Sequence, residues 1–233
     1  MSIARLDGVP PLDIILRRSA RARRYSLRVS RVDGQVTLTL PVRARVAQAM
    51  AFARDHEDWV RARLAEMPKG RRVVRGGVVP IAGADRVITA APVKTPHLRD
   101  DRLMIPERLL TGAAVGPGVA ACLKILARDR LLTVCDGHAA ALGRRYSGLV
   151  LRDTRSRWGS CSSAGRLMFS WRLIMAPPEV LEYVAAHEVA HLVEMNHAPA
   201  FWACVARLMP GYRAHRDWLR AHGAALHRVD FSR

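Results

Sequence analysis

The chain has 233 residues, half of them hydrophobic, and carries a formal net charge of +18. That length and composition support a folded core and exclude a disordered or low-complexity polymer. No apolar run approaches the ~20 residues of a membrane span, and the leading MSIARLDGVPPLD lacks the apolar centre of a signal peptide, so the expectation is a cytoplasmic protein with no membrane partner.

The first third reads as β-rich with one helix. Residues 25–29 and 36–40 alternate in hydrophobicity on either side of Asp33-Gly34, the favoured dipeptide for a hairpin turn, and Pro41 stops the second strand. Met50, Phe52, Ala53, Trp59, Val60 and Leu64 recur at helical spacing, which predicts a helix from about Val46 to Met67. Short strands follow at 78–81, 86–89 and 102–105. The Gly/Pro-rich stretch Thr111 to Gly118 is the expected lobe boundary, dividing a β-rich N-terminal lobe with one helix (1–115) from a second domain (116–233).

Leu123, Leu126, Leu131 and Val134 place a long helix over Val119 to Leu142, with Gly143 as its stop. Strands are expected at 149–152, 158–161 and 167–171, the last two forming a hairpin around Ser163-Ala-Gly165. Pro177-Pro178 then open a helix, since proline suits the first turn, where its missing N–H costs nothing. The four cysteines, Cys122, Cys135, Cys161 and Cys204, form no CxxC pair, which removes a zinc ribbon and a dithiol redox motif.

That last helix leads into AAHEVAHLVEMNH, Ala185 to His197. His187 and His191 are four apart, so a helix stacks them on one face, where two imidazoles can reach one zinc ion. Glu188 lies about 100° further round the helix. It cannot share their coordination position, but it can reach a water at the metal, where a general base is needed. The third ligand is His197 or Glu194. Glu194 is seven residues from His187, about 10 Å along a helix axis, too far for convergence. His197 is favoured if the helix ends first, with Asn196 suited to a left-handed terminus.

HEVAHLVEMNH, followed by Ala198-Pro-Ala-Phe-Trp202, resembles the YgjP-like metallopeptidase family, related to the WLM and SprT-like zincins. Ser156-Arg-Trp-Gly-Ser-Cys-Ser162 matches that family's SRWGSCS segment. Trp171-Arg-Leu-Ile-Met-Ala-Pro177 and Pro210-Gly-Tyr212 are also similar, so the resemblance covers most of residues 12–222. It implies an α+β fold: a zincin-like catalytic domain, with helices, a small mixed sheet and the HExxH helix, behind a β-rich N-terminal lobe. It also implies Zn2+ as cofactor and a protein or peptide as substrate. Two departures stand out. Ala198 occupies the family's serine position, losing a helix cap, and Ser170 stands where asparagine is expected; neither is a ligand. Metzincins share the histidine spacing, but their glycine position is Glu194 here.

In zincin-like folds an edge strand runs beside the catalytic helix and accepts an extended peptide. Arg157 to Cys161 is the candidate strand, with Gly159 permitting close backbone approach and Trp158 either walling a pocket or filling the core. Arg157, Tyr212 and His215 are the residue types available to stabilise an oxyanion, and the sequence does not choose among them. The expected chemistry is metal-assisted hydrolysis, with Glu188 taking a proton from water and returning it to the leaving amine.

The charge has two readings. It invites a nucleic acid or other polyanion as partner, yet lysine occurs only at Lys69, Lys94 and Lys124, so an arginine-skewed coding bias explains it equally well. Two alternative functions follow. One is a zinc-dependent nucleotide or phosphoanhydride hydrolase, opposed by the lack of a Gly-rich phosphate loop and of a carboxylate cluster for magnesium. The other is a DNA-associated protease or binding protein of the SprT/WLM type.

Overall fold

The computed structural model describes residues 2–30, 34–66, 70–110 and 115–232. The chain divides into two compact units, Met1–Lys69 and Gly70–Arg233, each with its own hydrophobic core.

The first unit contains β1 (Ser2–Leu6), β2 (Leu12–Ser19), β3 (Ser26–Val29), β4 (Val36–Pro41), α1 (Val46–Asp55) and α2 (Glu57–Ala65). Its sheet has the order β1-β2-β4-β3, with β2 and β4 parallel and the outer pairs antiparallel. Alternation makes one face apolar: Leu12, Ile14 and Leu16 of β2 and Val36, Leu38 and Leu40 of β4 are buried. Ala49 and Ala53 of α1 and Val60 of α2 complete that core, small side chains letting α1 lie close. The expected single helix is broken at His56, whose φ of −112° and ψ of 13° are not helical and whose ring lies 2.9 Å from the Phe52 carbonyl. Glu57 and Asp58 then form the acidic first turn of a new helix. The expected hairpin pairs β3 with β4, Val29 opposite Val36, and Asp33 of its expected turn lies outside the described residues. Sequence reading missed β1 and β2.

The second unit begins with β5 (Arg71–Arg72), β6 (Val78–Ile81), β7 (Ala84–Ala91), β8 (His97–Arg99) and β9 (Arg102–Pro106), followed by α3 (Val115–Ala141). Then come β10 (Gly148–Arg152), β11 (Gly159–Cys161), β12 (Arg166–Ser170), a 3-10 turn at Trp171–Met175 and α4 (Pro178–Ala190). The chain ends with α5 (Pro199–Leu208), α6 (Tyr212–His227) and β13 (Val229–Asp230). Strands β6-β7-β9-β8 form one sheet, β10-β12-β11 a mixed sheet, and β13-β5 a two-stranded ribbon. The α+β class and the small mixed sheet are as expected. Among the described residues no helix is long and apolar enough to cross a membrane.

Helix α4 is the axis of this unit. Val180, Leu181, Val184, Ala185, Ala186, Val189 and Ala190 are all buried, so the helix is apolar nearly all round and is enclosed by α3, α5, α6 and β11. Its entry is fixed from outside: the turn after β6 donates Ala82 N–H to Ile174 O (2.8 Å) and Gly83 N–H to Met175 O (3.3 Å). Pro178 occupies the first turn as expected.

The Gly/Pro stretch expected at a lobe boundary behaves differently. Gly116 and Gly118 lie inside α3, and its core is shared with Val79, Ile81 and Leu103 of the preceding sheet. A Cβ on Gly118 would sit 1.8 Å from Leu109 O, and one on Gly116 2.6 Å from Phe231 O. These glycines serve close packing, not a linker. The expected division at residue 115 thus falls inside the second unit, and 111–114 lie outside the described residues.

Candidate metal centre

Three histidines converge where α4 ends. His187 is in its last turn, and His191 is the C-cap with φ −65° and ψ −14°. A non-helical loop then returns His197 over them, so that one ligand nitrogen from each lies within 4.8 Å of the others. The helix therefore ends at Ala190, six residues before Asn196, and Asn196 is not left-handed. Its Oδ1 instead accepts the Ala198 N–H at 2.9 Å, ordering the step into α5. Ala198 is the N-cap and supplies no side-chain cap, as its methyl requires.

The hydrogen bonds of the cluster orient His191 for a cation. His191 Nδ1 lies 2.9 Å from the Glu194 carbonyl, which can only accept, so Nδ1 carries the proton and Nε2 keeps its lone pair. Glu194 contributes through its backbone; its carboxylate is not part of the cluster. His187 Nε2 faces His197 Nε2 at 3.1 Å. Two nitrogens sharing one tetrahedral zinc at ~2.05 Å would stand about 3.3 Å apart, so the spacing fits a bridging cation. Burial, then His191, His197 and Arg216, pushes the His187 pKa down to about 3. Burial also lowers His191, opposed by the Glu194 carbonyl. His187 is therefore an uncharged imidazole at neutral pH, as a ligand to a cation must be.

An aromatic floor holds the rings. The fully buried Phe201 has its centroid 4.8, 4.5 and 4.7 Å from those of His187, His191 and His197. Trp202 flanks His187 and His197 at 5.7 and 5.8 Å. Helix α5 thus supports the site from beneath.

Glu188 points the other way round α4, toward β11. It is 5% exposed, and burial pushes its pKa up to about 8 against the opposing pull of the Arg157 cation. A Cβ built on Gly159 would lie 2.6 Å from both Cγ and Oε1 of Glu188. Only glycine leaves room for the carboxyl there. Glu188, the three histidines, Arg157, Gly159 and Met195 line one open cleft of about 450 Å³, completed by Ser156, Ser160 and Cys161.

The remaining residues expected at the substrate site lie behind it. Trp158 packs against α6, 4.5 Å from the His227 ring and against Gly223, and its carbonyl accepts Ser170 N–H at 2.8 Å. Tyr212 is buried, stacked between Tyr183 (6.2 Å) and Trp202 (5.5 Å). Neither lines the cleft. Cys161 is half-buried at the cleft wall, where burial and then Glu188 raise its thiol pKa. Ser160 and Met195 were missed: one lies in a short strand, and the other, 53% exposed, reads as an unremarkable loop residue.

A family model described as "YgjP-like, metallopeptidase domain" matches residues 23–222. Comparison with curated proteins gives no match. Among solved structures, the crystal structure of the metallopeptidase zymogen of Pyrococcus abyssi abylysin aligns with a TM-score of 0.36 at 22% identity, over 40% of this chain and 92% of that one. That likeness is too slight to bear on the fold.

Proposed function

The chain belongs to the YgjP-like metallopeptidase family, and from that premise we propose that it is a zinc-dependent peptidase whose general base is Glu188. The observation that carries this reading is the shared cleft: three imidazole ligand nitrogens within 4.8 Å of one another, with the carboxyl of Glu188 beside them.

His187, His191 and His197 would hold the metal. The ion, when bound, supplies Lewis acidity, polarising a carbonyl and acidifying water. Glu188 accepts the proton of the attacking water on a carboxylate oxygen and later delivers it to the leaving nitrogen. A pKa raised toward neutrality suits both halves of that task, because the same oxygen must first take and then give. The Arg157 cation favours the ionised form needed at the start.

β11 is the outer strand of its sheet. Its inward bonds fall at alternate positions, Ser170 N–H to Trp158 O and Ser162 N–H to Arg166 O. By that alternation Gly159 and Cys161 turn their N–H and C=O groups to the open edge. An extended peptide can pair there, beside Glu188, with Arg157 at one wall and Met195 at the other. Trp158 and Tyr212 contribute by fixing β11 and Trp202 from behind.

The test is hydrolysis of a denatured protein by the zinc-loaded chain and by Glu188→Gln. The variant is expected to keep its fold and metal and to lose ~10²–10⁴-fold in rate, the usual contribution of a general base. Turnover within a few-fold of the original chain would rule out Glu188 as the base.

A further inference from the structure

We propose that the N-terminal unit carries a binding surface for the phosphate backbone of double-stranded nucleic acid. It lies where β2 and β4 end and β3 and α1 begin. Between Ile14 and Arg54 the only carboxylate is Asp33, while arginines recur throughout. Topology gathers their side chains at one place. The parallel register Arg17↔Thr39 and Ser19↔Pro41 brings the ends of β2 and β4 together, and Ser26↔Thr39 starts β3 beside them. The link from β2 to β3 carries Arg21, Arg23 and Arg24, and the link from β4 to α1 carries Arg43 and Arg45. Arg28 lies on the edge strand β3. All six are exposed.

The described acids of this unit lie elsewhere. Asp13 pairs with Arg5 at the opposite end of the sheet, where Ile14 meets Val36, the first residue of β4. Asp55, Glu57 and Asp58 follow the far end of α1, ~15 Å of helix from Val46. The described ion pairs of the unit, Arg5–Asp13, Arg61–Glu57 and Arg63–Glu66, involve none of the six arginines. Among the described residues of the unit, no ion pair compensates their charge.

The surface is also shaped and held. Arg18 donates to the carbonyls of Pro41, Val42 and Ala44, pinning the β4–α1 link, and Arg17 donates to Thr39 Oγ1 at 3.2 Å. Ser19 Oγ accepts Arg21 N–H at 3.3 Å, fixing the start of the β2–β3 link. A depression of about 540 Å³ lined by Ser2, Leu16, Arg17, Arg18, Leu40 and Val46 makes this end concave, which concentrates the field.

Three features choose the partner. Every cation is a guanidinium, whose forked donors match phosphate oxygens. Three adjacent strands span about 10 Å, and duplex DNA presents one charge per ~1.7 Å of axis, so several phosphates face the patch at once. No exposed aromatic ring stands on it: Tyr25 is half-buried, 5.7 Å from the Phe52 ring. A stacking platform for unpaired bases is therefore missing, which favours duplex over single strand. Val42 and Val46 are the exposed large apolar residues here, a weak anchor for a membrane surface.

The test is binding of the full chain to a labelled DNA duplex of random sequence, by fluorescence anisotropy, from about 50 to 200 mM salt. The original chain is expected to bind with a steep salt dependence. Arg23→Glu/Arg24→Glu/Arg43→Glu should weaken binding at least ~10-fold and reduce the salt slope by about 2–3. The exposed control Arg99→Glu/Arg144→Glu/Arg145→Glu, with the same net charge, should bind like the original. Melting temperature checks each fold, and the triple Arg→Gln change at residues 23, 24 and 43 replaces the reversal if that misfolds. Three results overturn the proposal: no duplex binding at the lowest salt, equal loss in patch and control variants, or patch-dependent binding to phosphatidylserine vesicles without duplex binding. Tighter binding of the single strand than of the duplex overturns the choice of partner.

Discussion

Glu188 and His187 are neighbours in sequence with opposite electrostatic problems, and the same burial creates both. Burial disfavours charge, raising the carboxyl to about 8 and lowering the imidazole to about 3. In the metal-free protein this makes stability depend on pH with a definite sign. Glu188 holds its proton more tightly folded than unfolded, so its contribution is full below about 4.5 and is lost as pH rises through about 8. His187 holds its proton less tightly folded, so its contribution is full above 6.5 and is lost as pH falls toward about 3. The two oppose each other between 4.5 and 6.5, leaving Glu188 dominant above. Metal-free protein should therefore lose up to ~1.4 kcal/mol per pH unit between pH 6.5 and 8. Glu188→Gln should flatten that slope in denaturant melts. An unchanged slope in the variant would place its origin at another group.

The pairing of α4 with β11 determines where the Glu188 carboxyl can lie. Gly159→Ala inserts a methyl where Glu188 Oε1 and Cγ already lie, so the carboxyl must turn out of its place. The expected result is a fall in kcat of at least ~10-fold, or ~1.4 kcal/mol, with KM and zinc content nearly unchanged. A rise in KM alone would mean that the methyl obstructs the substrate rather than the base. Much of this element pair was legible in sequence. Four-residue histidine spacing put His187 and His191 on one face, and Pro177-Pro178 marked the start of α4. The contact between Gly159 and Glu188 was not legible, since neither hydrophobic period nor residue type reports which strand faces which helix. Nor was the end of α4, because Leu192 and Val193 continue an apolar pattern while the chain turns to bring the Glu194 carbonyl to His191. The glycines of α3 misled for a related reason: a close contact with Leu109 and Phe231 has the same sequence signature as a linker.

At the scale of the whole chain, two cores carry two kinds of surface. The N-terminal unit has a cationic sheet end, whereas the larger unit buries α4 among three helices and a strand and brings its histidines and Glu188 to one open cleft. Net charge alone does not separate a coding bias from a binding face; strand register adds that Asp13 and the clustered arginines lie at opposite ends of the sheet. On the proposed function, the three histidines of the larger unit would hold a catalytic zinc. The most direct measurement is zinc per chain by elemental mass spectrometry, on the original protein, His191→Ala, His197→Ala and Glu194→Gln, each reconstituted and dialysed identically. One zinc is expected in the original and in Glu194→Gln, because the amide leaves the backbone carbonyl on His191 untouched. Neither histidine variant should retain stoichiometric zinc, since each keeps only two of three ligands. Full zinc in His197→Ala together with loss in Glu194→Gln would contradict the account.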